Sequence, residues 1–225
     1  LVLHNDGSYT YTVNYDEVQY LAQGESEQDI FTVAVGNNGG HSLATITVNV
    51  HGTNDLPTVT VTPVLTVQEQ HGVTDITVSG RVEAQDVDTG DTLCFGIKTE
   101  DGFQSTEHET PVTLYVSGTW ENGELKLSLV SEKPEEENLV GTLTMNIDGT
   151  YSFALEDSDV VRALKAGESA ELTVQIGATD GHGDAVTRPV TITVHGSNEA
   201  PEISTNINVG EEQMDNVFTL DVTPD

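Results

Sequence analysis

An all-β fold, built as an antiparallel β-sandwich of about seven to nine strands and repeated in tandem, is what this 225-residue sequence predicts, and three observations predict it. His51-Gly52-Thr53-Asn54-Asp55-Leu56-Pro57 returns as His195-Gly196-Ser197-Asn198-Glu199-Ala200-Pro201. Each copy closes a β-branched run, turns through glycine, offers an amide beside a carboxylate and restarts at proline, which disfavours helix in the residue before it. Asn-Gly and Asp-Gly pairs separate short alternating runs rich in Thr and Val, the pattern of two-residue hairpins. No stretch carries the periodicity of a long amphipathic helix.

The recurring seam sets the organisation. Residues 57–200 are expected to form one complete unit, residues 1–56 the C-terminal part of the unit before it, and residues 201–225 the first strands of the next. Within residues 1–13, two alternating runs flank Asn5-Asp6-Gly7; residues 143–155 repeat this hairpin around Asp148-Gly149, keeping aromatics at Tyr9 and Tyr11 in one copy and Tyr151 and Phe153 in the other. A polar connection with at most one or two helical turns follows each hairpin, then two strands lead into the seam. In the complete unit, residues 59–67, 76–82, 92–98, 112–117 and 125–130 read as strands, with Glu121-Asn122-Gly123-Glu124 as a tight turn and the glutamate-rich residues 132–137 as a solvated loop.

Seven Lys and Arg stand against 38 Asp and Glu, a formal charge of −31. Such a field repels phosphate backbones and anionic headgroups, which argues against nucleic acid as a partner. It serves solubility in a salty medium, or it holds divalent cations. The single cysteine, Cys94, excludes an intrachain disulfide and is expected to pack as a small hydrophobe in a strand. No run of about 18 apolar residues appears, so no membrane insertion is expected in this segment.

The densest chemistry is Asp86-Val87-Asp88-Thr89-Gly90-Asp91, three carboxylates within six residues with a glycine that permits a tight turn. A hard cation of high coordination number takes such oxygen ligands, and calcium fits best; the bland alternative is a solvated polar loop. An EF-hand is excluded, because the twelfth position from Asp86 is Ile97 and the flanks are strands. Further ligands are expected from Asn54 and Asp55 at the seam and from Glu69, on the expectation that all lie at one end of the unit. Asp180 and Asp184, in Asp180-Gly181-His182-Gly183-Asp184, read as turn formers first and ligands second.

Gly52-Thr53-Asn54-Asp55-Leu56-Pro57, Asp86-Val87-Asp88-Thr89-Gly90-Asp91-Thr92-Leu93, Gly141-Thr142-Leu143-Thr144 with Asp148-Gly149-Thr150-Tyr151, and Thr179-Asp180-Gly181-His182-Gly183, in this order, resemble the VCBS repeats, cadherin-like modules of giant RTX-type bacterial surface adhesins. The resemblance covers essentially the whole chain. It implies tandem immunoglobulin/cadherin-like sandwiches with calcium at the junctions, type I secretion to the cell surface, and a non-catalytic role in cell adhesion or biofilm. Carried over, Asn54 and Asp55 match the linker, Asp86 and Asp88 the paired-aspartate loop, and Glu69 the first-strand acid; Glu199 departs from the linker aspartate. The partners it implies are neighbouring repeats of the same chain, with surface glycan or protein engaged through other domains, and a monomeric segment.

Enzymatic motifs are weak. Gly40-His41-Ser42-Leu43-Ala44 grazes a nucleophile elbow but lies between strands, and His108-Glu109 lacks the second histidine of a helical zinc motif. The competing function is a carbohydrate-binding module on the hairpin that carries Tyr115 and Trp120, aromatics able to stack on sugars.

Overall fold

The computed structural model describes residues 1–70, 72–74, 76–106 and 110–198. Residues 201–225, expected to open the next unit, lie outside them, as do His108, Glu109 and Glu199. The described chain is mostly strand. Residues 1–56 contribute β1 (Val2–Leu3), β2 (Tyr9–Thr10), a single helical turn α1 (Tyr15–Val18), β3 (Ser26–Asn37) and β4 (Gly40–His51). There follow β5 (Thr58–Val61), β6 (Val64–Gln68), β7 (Ile76–Gln85), β8 (Cys94–Thr99) and β9 (Gly102–Ser105). The chain continues with β10 (Val112–Glu121), β11 (Glu124–Val130), β12 (Leu139–Met145), β13 (Thr150–Leu155), a second helical turn α2 (Asp159–Arg162), β14 (Ser169–Thr179) and β15 (Val186–His195).

From residue 57 onward the strands form two sheets, one of order β11-β10-β12-β13-β7-β5 and one of order β6-β15-β14-β8-β9. Pairing among the described strands is antiparallel except between β6 and β15, which run parallel with Leu65 opposite Ile192. The sequence predicts one strand across residues 59–67; two form, because Pro63 has no N–H to continue a ladder. Thr62 N–H donates to Arg81 C=O at 3.0 Å in the first sheet, and Pro63 C=O accepts from Thr191 N–H at 2.9 Å in the second. The chain therefore crosses between sheets at the proline. Strand β9 and a 3-10 turn at Glu136–Asn138 arise where the sequence predicts neither.

The turn residues act as their chemistry requires. Asn122 and Gly123 both take positive φ, 52° and 81°, in the two-residue loop that closes β10 on β11. Asp148 accepts hydrogen bonds from Thr150 N–H at 2.9 Å and Thr150 Oγ1 at 2.6 Å, and Asp6 makes the same pair with Ser8 at 2.9 Å and 2.7 Å. The seams repeat as closely. Gly52 N–H donates to Glu25 C=O at 3.0 Å, and Gly196 N–H to Glu168 C=O at 3.1 Å. A Cβ on Gly52 would meet Leu21 O at 2.2 Å, and one on Gly196 would meet Leu164 O at 2.1 Å, so both seams demand glycine for close approach. Leu21 and Leu164 are both buried.

A single cluster of buried side chains draws on both sheets, with Val116, Leu143, Met145 and Phe153 from one and Ile176, Ile192 and Val194 from the other. Alternation explains the choice, since inward positions recur every second residue. Cys94, expected in a buried strand, opens β8 in a half-buried position. The two-stranded β3–β4 sheet matches β14–β15 in register, Phe31 opposite Ile46 as Val174 is opposite Val190. Exposed apolar side chains stand on both its faces, Val35 72% exposed on one and Leu43, opposite Ala34, 63% exposed on the other.

Phe153 is fully buried at the centre of the cluster, and its ring fills the space above Gly141. Phe153→Ala is expected to cost about 3–5 kcal/mol of folding free energy, read from urea denaturation followed by Trp120 fluorescence.

Candidate metal centre

Strand β7 ends at Gln85, and the loop that follows turns through Gly90, whose φ is 93°. This folds Asp86, Asp88 and Asp91 together, so that one carboxylate oxygen from each lies within 4.8 Å of the others. Asp88 N–H donates to Asp86 Oδ1 at 2.9 Å, an Asx turn that fixes the first two. Asp88 is only 5% exposed. Its Oδ2 accepts the Asp55 backbone N–H at 2.8 Å, which ties the seam to the loop.

Asn54 supplies the next connection. Its Nδ2 donates to Asp180 Oδ2 at 2.9 Å and to Asp55 C=O at 3.1 Å, leaving Asn54 Oδ1 turned away from both. Asp180, buried just beyond β14, also accepts His182 N–H at 2.7 Å. It is thus a turn former, as the sequence predicts, and also a member of this cluster. Asp184 is exposed and is not drawn in.

Four buried oxygens here have no hydrogen-bond partner: Asn54 Oδ1, Asp86 Oδ2, Asp88 Oδ1 and Asp91 Oδ2. The His182 ring lies beside the cluster, its Nδ1 3.6 Å from Asp91 Oδ2. Among the described residues the lysine and arginine ion pairs lie elsewhere, Lys126 with Glu124 and Arg162 with Asp157 and Asp159. Burial pushes the Asp88 carboxyl above its ordinary range; the Asp55 N–H opposes this, while the charges of Asp86, Asp55 and Asp91 add to it. For Asp180 burial also acts upward, but hydrogen bonds from Asn54 and His182 outweigh it and hold that carboxyl below its usual value. The donor set is entirely hard oxygen, carboxylate and amide, which suits a cation that takes oxygen ligands.

Residues 1–56 reach this centre through a group that sequence reasoning missed. Tyr15 Oη donates to Asp55 Oδ1 at 3.0 Å, and Thr89 N–H of the loop donates to Tyr20 C=O at 2.9 Å. The bond to Asp55, reinforced by the Asp55 and Asp88 charges, raises the Tyr15 phenol above its ordinary range.

Asp86, Asp88 and Asp91 gather their carboxylates as the sequence predicts; Asp55 joins them through its backbone N–H while its carboxylate meets Tyr15, Asn54 is linked through Asp55 and Asp180, and Glu69 is not drawn in. Thr58 of β5 pairs with Gln85 beside the acidic loop, whereas β6 carries the chain to the opposite end, where Glu69 N–H donates to His195 C=O at 2.8 Å. Its carboxylate accepts Ser197 Oγ and Ser197 N–H at the second seam. Glu69 is 2% exposed and its Oε1 has no partner. The expectation that all ligands share one end fails because the two extended strands between Pro57 and Glu69 span the unit.

Tyr115 and Trp120 do not share a surface. They stand at opposite parity on β10, Tyr115 opposite Val130 and Trp120 opposite the buried Leu125, and Trp120 Nε1 donates to Val160 C=O at 3.1 Å. Comparison with protein-family models and with curated proteins finds no match.

Without a cation, the charges at Asp86 and Asp88 oppose folding of the loop. Replacing both with asparagine keeps the side-chain shape and removes the repulsion. In chelator, Asp86→Asn with Asp88→Asn is expected to raise the melting temperature by about 2–4 °C, on the order of 1 kcal/mol, measured by differential scanning calorimetry.

Proposed function

We propose that this chain is a calcium-binding structural repeat, an immunoglobulin/cadherin-like β-sandwich of the VCBS type, acting as an extender in a large secreted or cell-surface bacterial adhesin that supports cell adhesion or biofilm formation. The observation that carries the proposal is that Asp86, Asp88 and Asp91 bring carboxylate oxygens within 4.8 Å of one another and each keeps a buried oxygen without a partner, on a chain with few positive charges to neutralise them. Calcium takes six to eight such ligands at flexible geometry. Asn54 and Asp55 would supply it from the linker, Asp86, Asp88 and Asp91 from the loop, and Asp180 would orient Asn54. The bound ion supplies neutralisation and no chemistry. Glu69, by the same logic, serves the seam that follows this unit.

The mechanical consequence concerns the joint. Short polar linkers leave neighbouring units free to swing unless something pins them. A cation bound to the ordered joint alone stabilises it by mass action, about 2.7 kcal/mol at one hundred times the dissociation constant. The sugar-binding alternative on Tyr115 and Trp120 has no common face to work with.

Millimolar calcium is expected to raise the melting temperature of the chain and to lengthen and narrow its distribution of shapes in small-angle scattering. Asp86→Ala with Asp88→Ala should remove both responses and leave the strands folded by circular dichroism. Identical melting and scattering of the wild-type chain in calcium and in chelator would refute the proposal.

A further inference from the structure

Asp55 is held at two points. Its backbone N–H is committed to Asp88 Oδ2 at 2.8 Å, and its carboxylate Oδ1 receives Tyr15 Oη at 3.0 Å. Tyr15 rides on α1, and the segment it belongs to is anchored on the seam. Leu21 N–H donates to Val18 C=O at 3.0 Å and Leu21 is buried, while Gly52 N–H donates to Glu25 C=O at 3.0 Å just ahead of the linker. The phenol therefore reaches Asp55 from a platform fixed to the unit before the linker, while the Asp55 amide reaches the unit after it. Tyr20 C=O, accepting from Thr89 N–H at 2.9 Å, holds the same platform against the acidic loop.

The contact belongs to this seam and is not a property of the repeat. Counting back from the equivalent buried Leu21 and Leu164, the position of Tyr15 is occupied by Ser158, whose short side chain lacks that reach; the linker position of Asp55 is occupied by Glu199. Both ends of the bond differ together between copies.

We propose that Tyr15 is a positioning residue for the cation centre: it fixes the Asp55 carboxylate, and so makes cation affinity at Asp86, Asp88 and Asp91 depend on how the preceding unit is docked. This rests on the calcium-binding function proposed above. A carboxylate already fixed by one hydrogen bond loses less side-chain freedom when an ion binds, so the bond should appear as affinity more than as stability.

Calorimetric calcium titration of the whole chain tests it, with Tyr15→Phe, Asp55→Ala and the double variant. Tyr15→Phe keeps the ring and removes only the donor, and calcium affinity is expected to fall about three- to tenfold, with the melting temperature in chelator unchanged. On the Asp55→Ala background the same substitution should have no further effect. Equal affinity of wild type and Tyr15→Phe, or an equal loss on both backgrounds, would overturn this inference while leaving the calcium-binding function standing. A wild-type chain that takes up no calcium would overturn both.

Discussion

The burial of Asp88 is the constraint on which the joint depends. A carboxylate that is almost fully out of water, flanked by Asp86 and Asp91, can remain charged only if something compensates it. The chain supplies one backbone N–H, from Asp55, and that single bond is also what docks the seam onto the loop. Structural connection and charge compensation are the same interaction here. The electrostatics of the loop and the geometry of the linker are consequently coupled through one bond.

The two ends of the unit solve related problems with different groups. At one end the acids come from a loop and meet an amide-bearing linker; at the other a single buried glutamate, Glu69, meets Ser197 of the second seam. Both ends leave a carboxylate oxygen buried and unpartnered. What lies between is a two-sheet core with a proline crossover, and the extended run of β5 and β6 through that crossover carries Glu69 away from Asp86. A rigid core is what separates the two ends, so under the proposed function each end answers to a different joint.

Much of this was legible in the sequence because it is local. Asp6-Gly7, Asp148-Gly149 and Asn122-Gly123 specify turns through backbone conformation and short side-chain bonds, and the structure reproduces them copy by copy. Clustering of Asp86, Asp88 and Asp91 follows from their spacing around a glycine. What escaped is non-local. Alternation tells a strand which face is inward but not which neighbour it pairs with, so the division of residues 58–68 between two sheets, the parallel β6–β15 pair and the far placement of Glu69 were hidden. Tyr15 escaped because an exposed tyrosine in a helical turn carries no signal without its partner. Parity on β10, by contrast, was available, and already put Tyr115 and Trp120 on opposite faces.

The contacts between α1 and the acidic loop alter the physical picture of the joint. A linker of polar residues alone would leave the units independent. Tyr15 on Asp55 and Thr89 on Tyr20 instead give the joint contacts of its own before any ion is considered. These bonds are polar and lie at or near the solvent surface, where each contributes on the order of 1 kcal/mol or less, too little to hold the two segments against thermal motion. They are enough to bias it. A joint biased toward one geometry presents its oxygens already gathered, and an ion that binds there meets part of the ordering already done. On the proposed function, the weak clasp and the unneutralised charge are complementary: the clasp gathers the ligands, and the ion offsets the repulsion among them in the geometry that the clasp selects.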